Sequence, residues 1–180
     1  MNKHICNLQK FLPKTVKKIL MIFFYRIFIN LILLLSPIII FIRLLKKKED
    51  INRFKEKIGF FKNNKNKGKL IWFHGASVGE FQSIVPMLEK LEKSNQIKKI
   101  LITSNTLSSS KIISKIKLKK VVHQFFPIDN NFIIKKFIKH WKPSMALFID
   151  SEIWPNTLIN LNKQEIPIVL INGKDYQKIL

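Results

Sequence analysis

From Leu70 onward the chain alternates between short apolar runs and longer stretches of mixed polarity. LIWFH, KKILIT, VVHQFF, MALFI and IPIVLIN are rich in β-branched and aromatic residues, and each has the length of a strand buried on both faces. Between them, Phe81 to Lys93, Ser108 to Ile116, Asn130 to His140 and Ile153 to Asn162 carry apolar residues at helical spacing. This succession predicts a doubly wound α/β domain, a parallel sheet with right-handed crossovers and helices on both faces.

The first third of the chain follows a different pattern. IFINLILLLSPIIIFI, between Arg26 and Arg43, is polar only at Asn30 and Ser36. With ILMIFFY before it, and Arg26 tolerated by snorkelling, the run reaches roughly 24 residues, enough to cross about 30 Å of hydrocarbon. It predicts a membrane-anchoring helix that accepts Pro37 more readily than a soluble helix would. Both flanks are basic, so charge does not fix its orientation, and a tilted anchor lying partly in the interface satisfies both flanks equally. The expected division is 1–48 as basic flank and anchor, 49–69 as a basic surface helix and a linker ending near Gly68, and 70–180 as the α/β domain.

Composition sharpens this picture only in part. Lys and Arg number 33 against 11 Asp and Glu, a formal charge of +22, which favours an anionic partner. No basic motif is interleaved with aromatics, so the expected partner is the membrane and not nucleic acid. Cys6 is the only cysteine, which excludes an internal disulfide, and the four histidines show no HxxxH or HExxH spacing, so no metal site is expected.

In a sheet of this kind the binding crevice lies at the carboxyl ends of the strands. Glu80, Asp129, Asp150 and Glu152 all fall there. In GASVGE, Gly75 and Gly79 are free to take positive φ, and Ala76 and Ser77 are small enough to admit a ligand. Glu80 would then open a helix, where a carboxylate serves equally as a cap or, facing the crevice, as a general base. The loop matches neither GxxxxGK[ST] nor GxGxxG. TSNTLSSS offers Ser104 and Thr106 as hydroxyl contacts, with Ser108 as candidate N-cap. His74 at the exit of the first strand is expected to reach the crevice, whereas His123 alternates with apolar neighbours and is expected to be buried. Asp150 and Glu152 share the tip of the fourth strand, and Trp154 and Pro155 are expected to pack the start of the next helix.

Taken together and in order, HGASVGEFQSIVPMLEKL, ILITSNTLSSSKI, HQFFPIDN, WKP, DSEIWPNTL and IPIVLIN resemble the amino-terminal half of 3-deoxy-D-manno-octulosonic acid (Kdo) transferases. The resemblance implies a Rossmann-like half of a B-type glycosyltransferase that binds lipid A precursor at the cytoplasmic face of the inner membrane. The family's other half binds the donor, CMP-Kdo. It implies Glu80 as catalytic base and Asp150 in place of the first glutamate of an ExE pair that ends at Glu152, with Ser77, Gly79, Ser104 and Thr106 as substrate contacts. The resemblance runs to about Asn172, and NGKDYQKIL replaces the family's asparagine-led basic segment. A truncated or split product is therefore expected, inactive alone and working with a separate carboxyl-terminal chain. The competing expectation is a non-catalytic module that holds acceptor lipid.

Overall fold

The computed structural model describes residues 14–62, 68–150 and 154–171. A long helix, α1 (Lys14–Leu45), is followed by a 3-10 turn at Phe54–Ile58. Then come β1 (Lys69–His74), α2 (Val78–Ser83), α3 (Val85–Lys93), β2 (Ile97–Ser104), α4 (Leu107–Ile113) and β3 (Val121–Phe125). The chain continues through α5 (Asn131–Trp141), β4 (Met145–Ile149), α6 (Pro155–Lys163) and β5 (Ile168–Ile171). All strand pairs are parallel, in the order β3-β2-β1-β4-β5. The doubly wound sheet expected from the alternating pattern is present, and its order reverses between β1 and β4, where such sheets open a crevice.

Alternation along the strands divides the core into two layers. Ile71, Phe73, Ile100, Ile102 and Ile149 meet Phe81, Ile84 and Leu88 on one face. Leu70, Trp72, Leu101 and Phe148 meet Ile134, Phe137 and Trp141 on the other. Burying large side chains on both faces explains why β1, β2 and β4 read as unbroken apolar runs; β5, at the sheet edge, departs from that expectation and leaves Ile168 39% and Leu170 59% exposed.

The helix expected over Phe81 to Lys93 is two helices, because Ile84 ends α2 and Pro86 fits only the first turn of α3. The basic stretch after α1 is not a surface helix but a single 3-10 turn held against the sheet. Glu56 in it is buried, chelated by Arg53 Nε at 2.8 Å and Nη2 at 3.0 Å, and it accepts the Phe125 backbone N–H at 2.7 Å. A buried carboxylate needs such partners, and the basic residues around it provide them.

Within α1, Ile19–Leu45 has the length and mean hydropathy, 2.5, of a membrane-crossing helix, with 11% of that window buried. It is nevertheless two-sided. Phe24, Phe28, Leu31, Leu34, Ile38, Phe41 and Leu45 form an exposed apolar stripe. The other face lies along the domain. Tyr25 donates to Asp129 Oδ2 at 2.7 Å, Arg26 Nε donates to Asn156 Oδ1 at 3.0 Å, and Asn30 accepts from Asn130 at 2.7 Å. At the far end, Arg43 and Lys57 both donate to Glu49, at 2.6 and 2.7 Å. Arg26 therefore does not snorkel; it turns inward to the domain.

Thr103 joins the central strands. Its hydroxyl accepts from Trp72 Nε1 at 2.8 Å and meets His74 Nδ1 at 2.9 Å, all three residues being fully buried. Thr103→Val keeps the shape and removes the partner of a buried indole N–H, so it is expected to lower unfolding free energy by ~1–3 kcal/mol in denaturant titration.

Candidate functional site

At the end of β1 the chain must turn into α2 without a side chain in the way. A Cβ on Gly75 would lie 2.9 Å from Glu80 Oε2, 3.1 Å from Phe81 Cζ and 3.2 Å from Ile149 Cδ1. Gly75 thus leaves the space that the Glu80 carboxylate occupies. The carboxylate accepts the backbone N–H of Ala76 at 2.9 Å through Oε2 and of Ser77 at 3.2 Å through Oε1. In return Ser77 Oγ accepts the Glu80 N–H at 3.2 Å, completing a capping box. Each oxygen retains a lone pair beyond these bonds, because a carboxylate accepts at about four positions. Gly79, one residue before, has open space: a Cβ there meets nothing within 4 Å. Neither Gly75 nor Gly79 adopts the positive φ expected for them. Their role is absence of bulk, inside the turn for Gly75 and on its outer flank for Gly79.

The neighbouring loop, after β2, is tied to this one. Thr106, and not Ser108, is the N-cap of α4; its Oγ1 accepts the Ser109 N–H at 3.2 Å. Thr106 donates in turn to Ser109 Oγ at 2.9 Å, and Ser109 donates to the Ala76 carbonyl at 3.0 Å. Ser77, Gly79, Glu80 and Thr106 are thereby brought to one rim. Asp150 ends β4 on the other side of the switch point, exposed, with φ of 58°. A non-glycine residue in that conformation costs roughly 1–3 kcal/mol, and Asp tolerates it better than most. Glu152 lies outside the described residues.

Two expected residues sit elsewhere. Ser104 is fully buried and contacts His123 Nε2 at 2.9 Å, away from the rim. His74 does not reach the crevice; it is fully buried and stacked on Phe126 with ring centroids 4.0 Å apart. His123 is buried as expected. Because a guanidinium can only donate, Arg53 Nη2 at 2.9 Å makes Nδ1 an acceptor, and the ring proton resides on Nε2 and is donated to Ser104. Burial first, then the charges of Arg53 and Lys62, push the imidazole down to about 3.

The floor of the crevice was not legible beforehand. A pocket of about 210 Å³ lies at the carboxyl ends of the strands, lined by Ile32 of α1 together with Lys57, Asn105, Phe126, Asp129 and Trp154. Lys57 donates to Glu49 and, at 3.1 Å, to the Asn105 carbonyl, and burial holds its ammonium below the usual range. In a chain so rich in lysine nothing distinguishes Lys57 in advance. Trp154 precedes Pro155 at the start of α6, as expected, and its ring also packs 5.4 Å from Phe126 at the pocket.

Residues 52–178 match the family model described as 3-deoxy-D-manno-octulosonic-acid transferase (kdotransferase). The chain is 41% identical over 152 residues to the 3-deoxy-D-manno-octulosonic acid transferase of Rickettsia bellii, covering 83% of this chain and 36% of that protein. It is 32% identical over 156 residues to the probable mitochondrial counterpart of Arabidopsis thaliana, covering 85% and 35%. To the Haemophilus influenzae transferase it is 31% identical over 156 residues, covering 84% and 36%. The chain thus spans about a third of the length of these curated relatives.

Two outcomes are expected here. Gly75→Ala forces the Glu80 carboxylate off its two backbone N–H groups and should reduce stability by ~1–3 kcal/mol, read by denaturant titration. For His123, the unfolded ring takes a proton below about 6.5 while the folded ring stays neutral to about 3. Its contribution is therefore complete above pH 6.5 and is lost as pH falls towards 3. Melting temperature should drop more between pH 7 and 5 for the native chain than for His123→Gln.

Proposed function

Because the chain belongs to the Kdo transferase family and matches that family's amino-terminal domain, we propose that it forms the acceptor-binding side of an enzyme that transfers Kdo from CMP-Kdo to lipid A precursor. Donor binding is assigned to the part of the relatives that this chain does not cover. The observation that carries this reading is the seat of Glu80, held over Gly75 at the end of β1 beside the open flank of Gly79.

In this reading the acceptor sugar approaches along Gly79, with Ser77 and Thr106 on the rim to orient its hydroxyls. The acceptor oxygen attacks the anomeric carbon of Kdo, the bond from that carbon to the CMP phosphate oxygen breaks, and CMP leaves with the bonding electrons. The hydroxyl proton passes to a free lone pair of Glu80. The two backbone N–H bonds hold the carboxylate at one position, so that a proton acceptor is oriented before substrate arrives. Asp150, at the opposite strand tip, and Glu152, two residues on in sequence, are assigned to the developing charge on the transferred sugar. Ser104 acts only by fixing the start of the β2 loop.

The membrane side follows from α1. If this helix stood upright in a bilayer, Asp129, Glu49 and Lys57, all bonded to it or to its immediate surroundings, would be drawn into hydrocarbon at several kcal/mol per ion. Lying in the interface, it buries its apolar stripe among acyl chains and leaves its polar face with the domain. We place the domain on the cytoplasmic side of the inner membrane, where a positively charged surface attracts a phosphorylated glycolipid.

Substitution separates the two roles of Glu80. Glutamine retains a side-chain acceptor suited to the third position of a capping box but cannot take a proton at neutral pH. With the remaining two thirds of the Rickettsia bellii relative supplied as a second chain, Glu80→Gln should keep its melting temperature within a few degrees and lose ~10²–10⁴-fold in Kdo transfer. Retained transfer in Glu80→Gln, or no transfer by the reconstituted native pair, would identify a cap within a lipid-holding module.

A further inference from the structure

Between α1 and the amino-terminal ends of α5 and α6 lies a cleft of about 260 Å³, lined by Arg26, Asn30, Asn130, Asn131, Phe132 and Asn156. The orientation of its amides is set outward from the backbone. Asn130 Oδ1 accepts the N–H groups of Phe132 at 2.9 Å and Ile133 at 3.2 Å, so its Nδ2 must be the group that donates to Asn30 Oδ1. Asn156 Nδ2 donates to the Asp129 carbonyl at 2.7 Å, which leaves its Oδ1 to accept Arg26 Nε. Asn160 Nδ2 donates to the Asn156 carbonyl at 2.7 Å and to Asn131 Oδ1 at 2.9 Å.

Each of these amide oxygens is therefore already an acceptor. What remains for a ligand is the Nδ2 of Asn30, the Nδ2 of Asn131 and the two Nη groups of Arg26, none of which is bonded among the described residues. Arg26 makes no ion pair there either. Asp129, which precedes Asn130, is not on the lining, and its two oxygens already accept from Tyr25, from the N–H groups of Asn156 and Thr157, and from the Thr157 hydroxyl. A cleft whose unbonded groups are N–H donors, beside amide oxygens that each already accept a bond, and which carries one fixed positive charge, complements an oxyanion. Phe132, an apolar side chain on its lining, is 75% exposed.

We infer that this cleft binds the phosphate of an anionic bilayer phospholipid, with the acyl chains leaving past Phe132 into the membrane. It is a site separate from the Glu80 rim. The choice of a lipid phosphate over a soluble one rests on the in-plane placement of α1 given above; the choice of an oxyanion does not.

The test uses the whole chain in neutral detergent micelles, titrated by calorimetry with dihexanoyl phosphatidic acid, dihexanoyl phosphatidylcholine and inorganic phosphate, with no sugar donor present. One saturable site for phosphatidic acid is expected, with phosphatidylcholine not binding and inorganic phosphate at least ~10-fold weaker. Arg26→Gln should weaken phosphatidic acid ~10-fold or more, the loss expected of a charge-assisted contact. Asn131→Asp, which keeps the oxygen that accepts from Asn160 and puts a negative charge in the cleft, should abolish binding with little change in melting temperature. Unchanged affinity in Asn131→Asp overturns the site. Inorganic phosphate binding as tightly as phosphatidic acid overturns the lipid assignment. Because neither donor nor transfer enters the measurement, failure here is distinct from failure of the transferase reading.

Discussion

Asp129 is the point on which the arrangement of this molecule turns. Its carboxylate is 1% exposed, and burial pushes its pKa up, against the pull of four donors. Three of those donors, two N–H groups and a hydroxyl, come from the first turn of α6, where an anion also meets the positive end of the helix. The fourth is Tyr25 of α1. One acid from the β3 loop thus fixes the start of the helix after β4 and the position of the apolar helix that precedes the whole domain. Leaving such a group buried with a partner removed is costly, so each contact supports the others.

The rim where Glu80 sits obeys the same economy of partners. The loop after β1 stays in place because its carboxylate binds its own backbone, and the loop after β2 joins it through Ser109 and the Ala76 carbonyl. Capping and catalysis are compatible uses of one side chain, since a base benefits from being held still. Across the switch point, Asp150 takes a left-handed backbone conformation, a local strain on this edge.

Much of this was legible in the sequence. The strands announce themselves as unbroken apolar runs, which burial on both faces requires of β1, β2 and β4 and which β5 repeats although Ile168 and Leu170 are exposed, and Glu80 stands out as an acid after small residues in a basic chain. Besides the crevice floor, three features were not legible, for physical reasons. Ser104 and Thr106 are near neighbours of similar chemistry, yet strand alternation points the first inward to His123 and leaves the second as a helix cap. His74 follows an apolar strand in sequence, but Thr103 across the sheet gives its ring a buried partner. Arg26 and Asn30 look like defects in a membrane helix until the domain is present to receive them, because long-range polar complementarity leaves no local pattern.

This polar seam holds α1 lengthwise on the domain, so that a helix lying in the interface would carry the crevice along the membrane surface. Depth measurement by electron paramagnetic resonance, with spin labels placed singly at Phe24, Leu31, Ile38 and Leu45 on the exposed stripe in lipid vesicles, examines it directly. A helix lying in the interface puts all four labels at one shallow depth of about 5–10 Å. A depth that changes progressively along the helix, by about 1.5 Å per residue and across roughly 30 Å in all, would contradict it.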